Sequence, residues 1–170
     1  MVVPARAAGP VLWTEPPPPA FNLPRFGAPA GATVNLNAQR GDAILVHFFA
    51  SWCEPCRDEL PALKRLSERG APGLTVVAIA VADNDLRLRR LLDEIGVTFP
   101  VLIDSDRAAA RAWSISALPS TVILDARHQA RLIVESDFAW DTIDPKQLTE
   151  SLSLPQKDAS QQSSVTQGGH

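Results

Sequence analysis

Residues 43–56 read Ala43-Ile44-Leu45-Val46-His47-Phe48-Phe49-Ala50-Ser51-Trp52-Cys53-Glu54-Pro55-Cys56. The apolar run 44–50 predicts a strand buried on both faces. Residues 54–69 predict a helix: Leu60, Leu63 and Leu66 fall on one face, while Arg57, Lys64, Glu68 and Arg69 point elsewhere. Pro55 suits the first turn, where its missing N–H would have no partner. Pro61 falls inside the pattern and predicts a kink. Gly70 and Pro72 end the helix.

Cys53 and Cys56 are the only cysteines. Two intervening residues bring both sulfurs to one helical turn, close enough to form and break a disulfide. The thiolate is the reactive form of cysteine, and a helix N-terminus favours negative charge. Cys53 at the helix start is expected to face solvent and attack first. Cys56, four residues before Leu60, is expected to turn toward the core and resolve the mixed disulfide. The alternative is an inert buried pair, for which this spacing would be a rare choice. A zinc site needs about four ligands, and His47, His128 and His170 lack the usual paired spacing, so no metal site is expected.

The 170 residues suffice for one domain with a sizeable core, and 45% are hydrophobic. A net charge of −3 gives no sign of a nucleic-acid partner. Two cysteines cannot make a structural disulfide framework. Residues 1–19, with the run Pro16-Pro17-Pro18-Pro19, are expected to form a Pro-rich flexible segment. Residues 20–154 form the expected folded domain, and 155–170 a disordered polar tail. Arg6 is not followed by an apolar stretch resembling a signal peptide. No run approaches the ~20 apolar residues of a membrane span. The absence of Tyr has no functional reading.

Periodicity elsewhere alternates strand and helix. Residues 74–81 predict a second buried strand. Leu88, Leu91, Leu92 and Ile95 have helical spacing, closed by Gly96. A short strand at 100–103 leads to a helix near 106–113, capped by Ser105 or Asp106. Strands at 121–125 and 129–134 make a hairpin through Ala126-Arg127-His128. A last helix covers about 145–153. The order gives an α/β sheet, parallel at first and antiparallel at its end.

The segment Val46–Pro61 resembles the active-site segment of the thioredoxin superfamily. More narrowly it is similar to the TlpA/ResA-like branch, which includes the CcmG-type proteins of cytochrome c maturation. Phe99–Asp104 resembles the inserted strand of that branch. Leu118–Asp125 resembles its cis-proline loop and the strand after it. Asp137-Phe138-Ala139-Trp140-Asp141 resembles a late Trp-containing segment. Phe21-Asn22-Leu23 with Val34-Asn35-Leu36 resembles the N-terminal hairpin.

The resemblance implies a thioredoxin fold: a central mixed sheet flanked by helices, with an N-terminal hairpin and a βα insertion. It implies a thiol–disulfide oxidoreductase that reduces protein disulfides in an exported compartment. No cofactor is expected beyond the redox-active Cys53–Cys56 disulfide. Pro119 is expected to be cis beside that disulfide, with Leu118 offering backbone hydrogen bonds to an incoming peptide. The resemblance also implies a monomer whose partners are protein disulfides, such as those of apocytochrome c or a copper-site protein. Electrons would come from a membrane thiol reductase. A periplasmic or otherwise extracytoplasmic site is expected, anchored or secreted in the full-length protein, with the signal absent from this chain.

Other residues near the cysteines have more than one reading. Glu59, three residues after Cys56, neighbours it on one helix face; by its residues alone it reads as an ordinary solvated helix Glu, whereas the resemblance, in which the branch carries an acid there, implies that it tunes the thiols and passes protons. His47 either relays protons to Cys56 or, the favoured reading, is a neutral buried His with a hydrogen bond. Trp52 is a substrate platform or a packing residue. Phe49, Trp13 and Trp113 read as packing residues, and Glu54 as exposed. Two rival functions use the same fold: a Cu(I) module holding the ion through Cys53 and Cys56, and a thiol peroxidase. The peroxidase pattern of Thr or Ser with Pro before the attacking cysteine is not matched by Ala50-Ser51-Trp52.

Overall fold

The computed structural model describes residues 9–38 and 41–154. Its strands are β1 (Val11–Leu12), β2 (Asn22–Pro24), β3 (Thr33–Asn35), β4 (Ala43–Phe49), β5 (Leu74–Val81), β6 (Val101–Asp104), β7 (Ser120–Leu124) and β8 (Ala130–Val134). The helices are α1 (Glu54–Arg69), α2 (Asp85–Ile95), α3 (Ala108–Ala112) and α4 (Pro145–Ser153), with 3-10 turns at Leu36–Ala38 and Trp140–Thr142. A six-stranded sheet has the order β1-β8-β7-β4-β5-β6. β4, β5 and β6 run parallel, whereas β7, β8 and β1 pair antiparallel. This is the mixed sheet expected of a thioredoxin fold.

β4 lies between β7 and β5, and all 7 of its residues, His47 included, are buried because both of its faces are covered. Ala43, Leu45 and Phe49 face a core layer shared with Cys56, Leu60 and Leu63 of α1 and with Leu88, Trp140 and Leu152. Ile44, Val46 and Phe48 face a second layer with Phe21, Ala110 and Trp113. Leu60, Leu63 and Leu66 are each fully buried, which contributes about 1.5–3 kcal/mol per side chain. α1 runs unbroken through Pro61. Leu60, Leu63 and Leu66 hold the helix to the sheet on both sides of the proline. Gly96 closes α2 in the left-handed region at φ 69°, where its N–H bonds Leu92 O at 2.9 Å.

The N-terminal hairpin pairs β2 with β3, Leu23 opposite Val34. It docks on the sheet edge: Phe26 N–H donates to Val101 O at 2.8 Å, beside an Arg25–Leu102 bridge. α2 and β6 form the insertion between β5 and α3.

One expectation is corrected. Part of the Pro-rich segment 1–19 joins the fold: Val11 and Leu12 pair with Ile133 and Leu132, and Trp113 Nε1 donates to Pro19 O at 2.9 Å. An edge strand supplies open backbone groups, and a short extended segment satisfies them. Residues 1–8 and the tail 155–170 lie outside the described residues. The cap expected at the start of α3 is found in part. Ser105 does not cap it; the Asp104 carboxylate accepts from Ala109 N at 3.1 Å and Ala110 N at 2.8 Å, with Asp106 accepting from Ala108 N at 3.0 Å. Arg107 sits at φ 62° and turns the chain into the helix.

Candidate active site

The C-terminal end of β4 delivers Ala50–Cys53 to the start of α1. Cys53 is the N-cap, its backbone extended at φ −94° and ψ 111°. Its Sγ accepts from the Cys56 backbone N–H at 3.4 Å, so the sulfur takes the place of a capping oxygen. Cys53 and Cys56 form a disulfide with a Cα–Cα distance of 5.3 Å. Cys56 is fully buried, as its spacing from Leu60 predicts. Cys53, expected to face solvent, is only 7% exposed. Its bond to a buried partner draws the sulfur into the core layer.

Trp52 is 51% exposed, which removes the packing reading. Its Nε1 donates to Ala82 O at 3.4 Å. Ala82 has φ 46°, an unfavourable value for a residue with a Cβ, at the point where β5 turns into the α2 loop. In the same loop Asp83 accepts from the Ser51 backbone N–H and from the Ser51 hydroxyl. The turn before Cys53 is therefore tied to the end of β5. Glu54 is exposed and Phe49 fully buried, as expected.

The Leu118–Pro119 peptide bond is cis, in the loop leading into β7. Leu118 packs against the core layer that contains both cysteines, and Pro119 is buried. Ser120 Oγ donates to Ala117 O at 2.8 Å across this loop.

Glu59 is 4% exposed on the inner face of α1. Burial raises its carboxyl from the ordinary 4.5 to about 8. A hydrogen bond from Trp140 Nε1 to Oε1 and the nearby Phe138 amide oppose the rise, and the charge of Asp137 adds to it. Oε2 makes no hydrogen bond. His47 is fully buried on β4, with Nδ1 2.9 Å from Thr121 Oγ1 on β7. Burial lowers it from 6.5 to about 3, so the ring is neutral. That supports the favoured reading of His47, although Nε2 has no partner.

Asp83, Ala82, Thr121 and the contact of Trp140 with Glu59 have no signal in local spacing; each meets the site from a distant strand or loop. The Trp140 segment is visible only as a resemblance. Among the described residues, no three His, Cys, Asp or Glu side chains gather where they could hold a metal ion. Among the described residues, no helix is long and apolar enough to cross a membrane.

Comparison with known proteins agrees with this architecture. A family model described as the AhpC/TSA family matches residues 16–133. Thioredoxin-like protein YneN of Bacillus subtilis (strain 168) is 31% identical over 139 residues, 80% of this chain and 76% of that protein. Thiol-disulfide oxidoreductase ResA of the same organism is 29% identical over 96 residues, 56% of this chain and 54% of ResA, so the match spans about half of that relative. The solved structure of a secreted thiol-disulfide isomerase from Corynebacterium glutamicum superimposes with a TM-score of 0.68 at 21% identity, covering 83% of this chain and 87% of that one. The chain thus belongs to the AhpC/TSA family and is a thioredoxin-like thiol–disulfide oxidoreductase.

Proposed function

We propose that the chain works as a reductase of protein disulfides in an extracytoplasmic compartment, with Cys53 as the attacking thiol and Cys56 as the resolving one. The observation that carries the assignment is the N-cap position of Cys53 over a fully buried Cys56. In the reduced state a thiolate at Cys53 would meet the amide N–H of Cys56 and the positive end of α1. Cys56, shielded from solvent, would react only with the neighbouring mixed disulfide. Trp52, Leu118 and Pro119 would border the approaching peptide. Glu59, placed near 8 by burial, would hold both protonation states near neutral pH and serve as a proton acceptor and donor for the pair.

The extracytoplasmic site is supported by similarity to a protein described as secreted. Apocytochrome c or a copper-site protein as substrate, a membrane thiol reductase as electron donor, and a monomeric state follow from the family resemblance. A Cu(I) reading would rest on the two thiolates alone, because no third ligand among the described residues joins them.

The direction of electron flow is read from the reduction potential of the Cys53–Cys56 pair, by equilibration against a thiol buffer of known poise. A potential near thioredoxin's, about −270 mV, is expected; one near DsbA's, about −120 mV, would make the protein an oxidant and overturn the reductase reading.

A further inference from the structure

The segment Phe138–Thr142 lies across α1 like a strap, and α1 supplies the side chains that fasten it by hydrogen bonds. Arg65 makes two hydrogen bonds to the Asp141 carboxylate, from Nε at 3.0 Å and NH2 at 2.7 Å. Arg69 donates to Trp140 O at 3.1 Å and Asp141 O at 3.2 Å. Within the strap, Phe138 meets Trp140 edge-on with centroids 4.9 Å apart. Trp140 is fully buried, and its indole N–H, which needs an acceptor there, ends on Glu59 Oε1. Donor and acceptor thus belong to one body, since α1 carries Glu59 and also carries both arginines that seat the strap.

We infer that Trp140 is a positioning residue for the exchange reaction: its indole N–H holds Oε1 of Glu59 and leaves Oε2 as the oxygen that exchanges a proton with the buried cysteine pair. The inference rests on the role proposed for Glu59. A carboxyl with two unheld oxygens could turn about its last torsion, which is broad and two-fold. Here Trp140 holds Oε1, the Phe138 amide lies near the same carboxyl, and Oε2 is buried with no hydrogen bond of its own. A buried polar atom without a partner is costly in a resting protein and calls for an explanation. A second state in which the atom carries or accepts a proton supplies one.

In the mixed disulfide, Cys53 Sγ is bonded to a substrate sulfur and Cys56 is a thiol. The Cys56 proton passes to Oε2 of ionised Glu59. The Cys56 thiolate then attacks Cys53 Sγ; the Cys53–Cys56 bond forms and the bond from Cys53 to the substrate breaks. The departing substrate thiolate takes a proton, and the cysteine pair has given two electrons to the substrate.

Several charged or titratable groups bear on Glu59. Asp137, from the chain before the strap, disfavours the carboxylate. Arg65, Arg69 and Asp141 form the exposed outer fastening. His47 on β4 lies in the alternation of Leu45 and Phe49, and so faces the α1 layer; it is neutral and contributes no charge. The cysteines complete the set, and when reduced they titrate together with Glu59.

The test compares parent, Trp140→Phe, Glu59→Gln and the double variant as full chains, reduced, across pH 5 to about 10. The readouts are the rate of reaction with an aromatic disulfide and the thiolate absorbance. Phe keeps a buried ring but has no N–H. Losing a hydrogen bond to the carboxylate should move the apparent pKa assigned to Glu59 upward by about one to two units. In the Glu59→Gln background, Trp140→Phe should leave the profile where Glu59→Gln put it. An equal displacement in both backgrounds would reduce Trp140 to packing and overturn the inference, while Glu59 kept its role. A Glu59→Gln profile identical to the parent's would overturn the Glu59 reading itself, and the inference with it. A second measurement needs no Trp140 variant: the indole N–H resonance of Trp140 in 15N-labelled protein should titrate with Glu59 and be flat in Glu59→Gln. A flat resonance in the parent would overturn the inference even if Trp140→Phe failed to fold.

Discussion

Ser51 and Asp83, 32 residues apart in sequence, are joined by two hydrogen bonds: the Ser51 backbone N–H meets Oδ2 at 2.6 Å and its hydroxyl meets Oδ1 at 2.5 Å. Asp83 also accepts from the Asn84 N–H at 2.7 Å. One carboxylate therefore ties the turn before Cys53 to the loop before α2. Trp52, between Ser51 and Cys53, adds its own bond to Ala82 O.

Asp83→Ala should free that turn. Loss of the charge-assisted bonds is expected to cost about 1–3 kcal/mol of stability, read from urea unfolding of the oxidised protein. Trp52 should become more accessible to a fluorescence quencher, and exchange with a peptide disulfide should slow. Unchanged quenching and unchanged stability would show that Ser51 holds its place without Asp83.

The cysteine roles are separable by trapping. Cys56→Ser should accumulate a mixed disulfide with a peptide substrate, because the resolving thiol is gone. Cys53→Ser should accumulate none, because Cys56 is fully buried. In the reduced parent, Cys53 should be alkylated first, with a pKa below the free value of about 8.5. Preferential labelling of Cys56 would reverse the assignment.

Glu59 and His47 impose opposite pH dependences on stability. With Glu59 raised to about 8, the folded state holds a proton that the unfolded chain releases above 4.5, so stability falls as pH rises from about 4.5 to about 8. With His47 lowered to about 3, the unfolded chain binds a proton that the folded state refuses, so stability falls as pH drops below 6.5. Their sum is a rise from pH 8 down to about 6.5, a plateau to about 4.5, and a fall below that. In Glu59→Gln the rise between pH 8 and 6.5 should vanish while the fall below 6.5 remains. Denaturant midpoints of the oxidised protein across pH read both slopes; a Glu59→Gln curve parallel to the parent's would show that Glu59 does not hold the proton.

Arg131 provides a test at the opposite end of the sheet. It pairs with Asp125 at 3.0 Å and donates to Leu152 O and Leu154 O at the end of α4. Arg131→Met should leave a largely buried Asp125 without its cation and the α4 carbonyls without a donor, at a cost of about 1–3 kcal/mol. Amide exchange should quicken at the end of α4 while disulfide exchange keeps its rate. A loss of exchange activity in a folded variant would contradict the separation of the two ends.

Much of this protein was legible residue by residue. The bounds of α1 and of β5 follow from leucine spacing and from an unbroken apolar run, because burial of one face or of both imposes a period on the chain. The cysteine spacing announced the disulfide, and the resemblance announced the cis bond at Pro119. Less legible were features whose partner lies far away. Asp104 caps α3 from the end of a strand and is not legible locally, whereas Asp106, next to the helix, is. Val11–Leu12 becomes a strand only because β8 presents an open edge.

By itself, then, the amino-acid sequence determined the order of strands and helices from β4 to α4, the burial of β4 on both faces and the pairing of Cys53 with Cys56. These depend on local period and short separation. Only the tertiary structure decided the environment of the site: the seat of Ser51 on Asp83, the burial of Glu59 and its bond to Trp140, and the neutral state of His47. Desolvation and hydrogen bonding depend on which groups meet in space, and the groups that meet here are drawn from elements up to 81 residues apart.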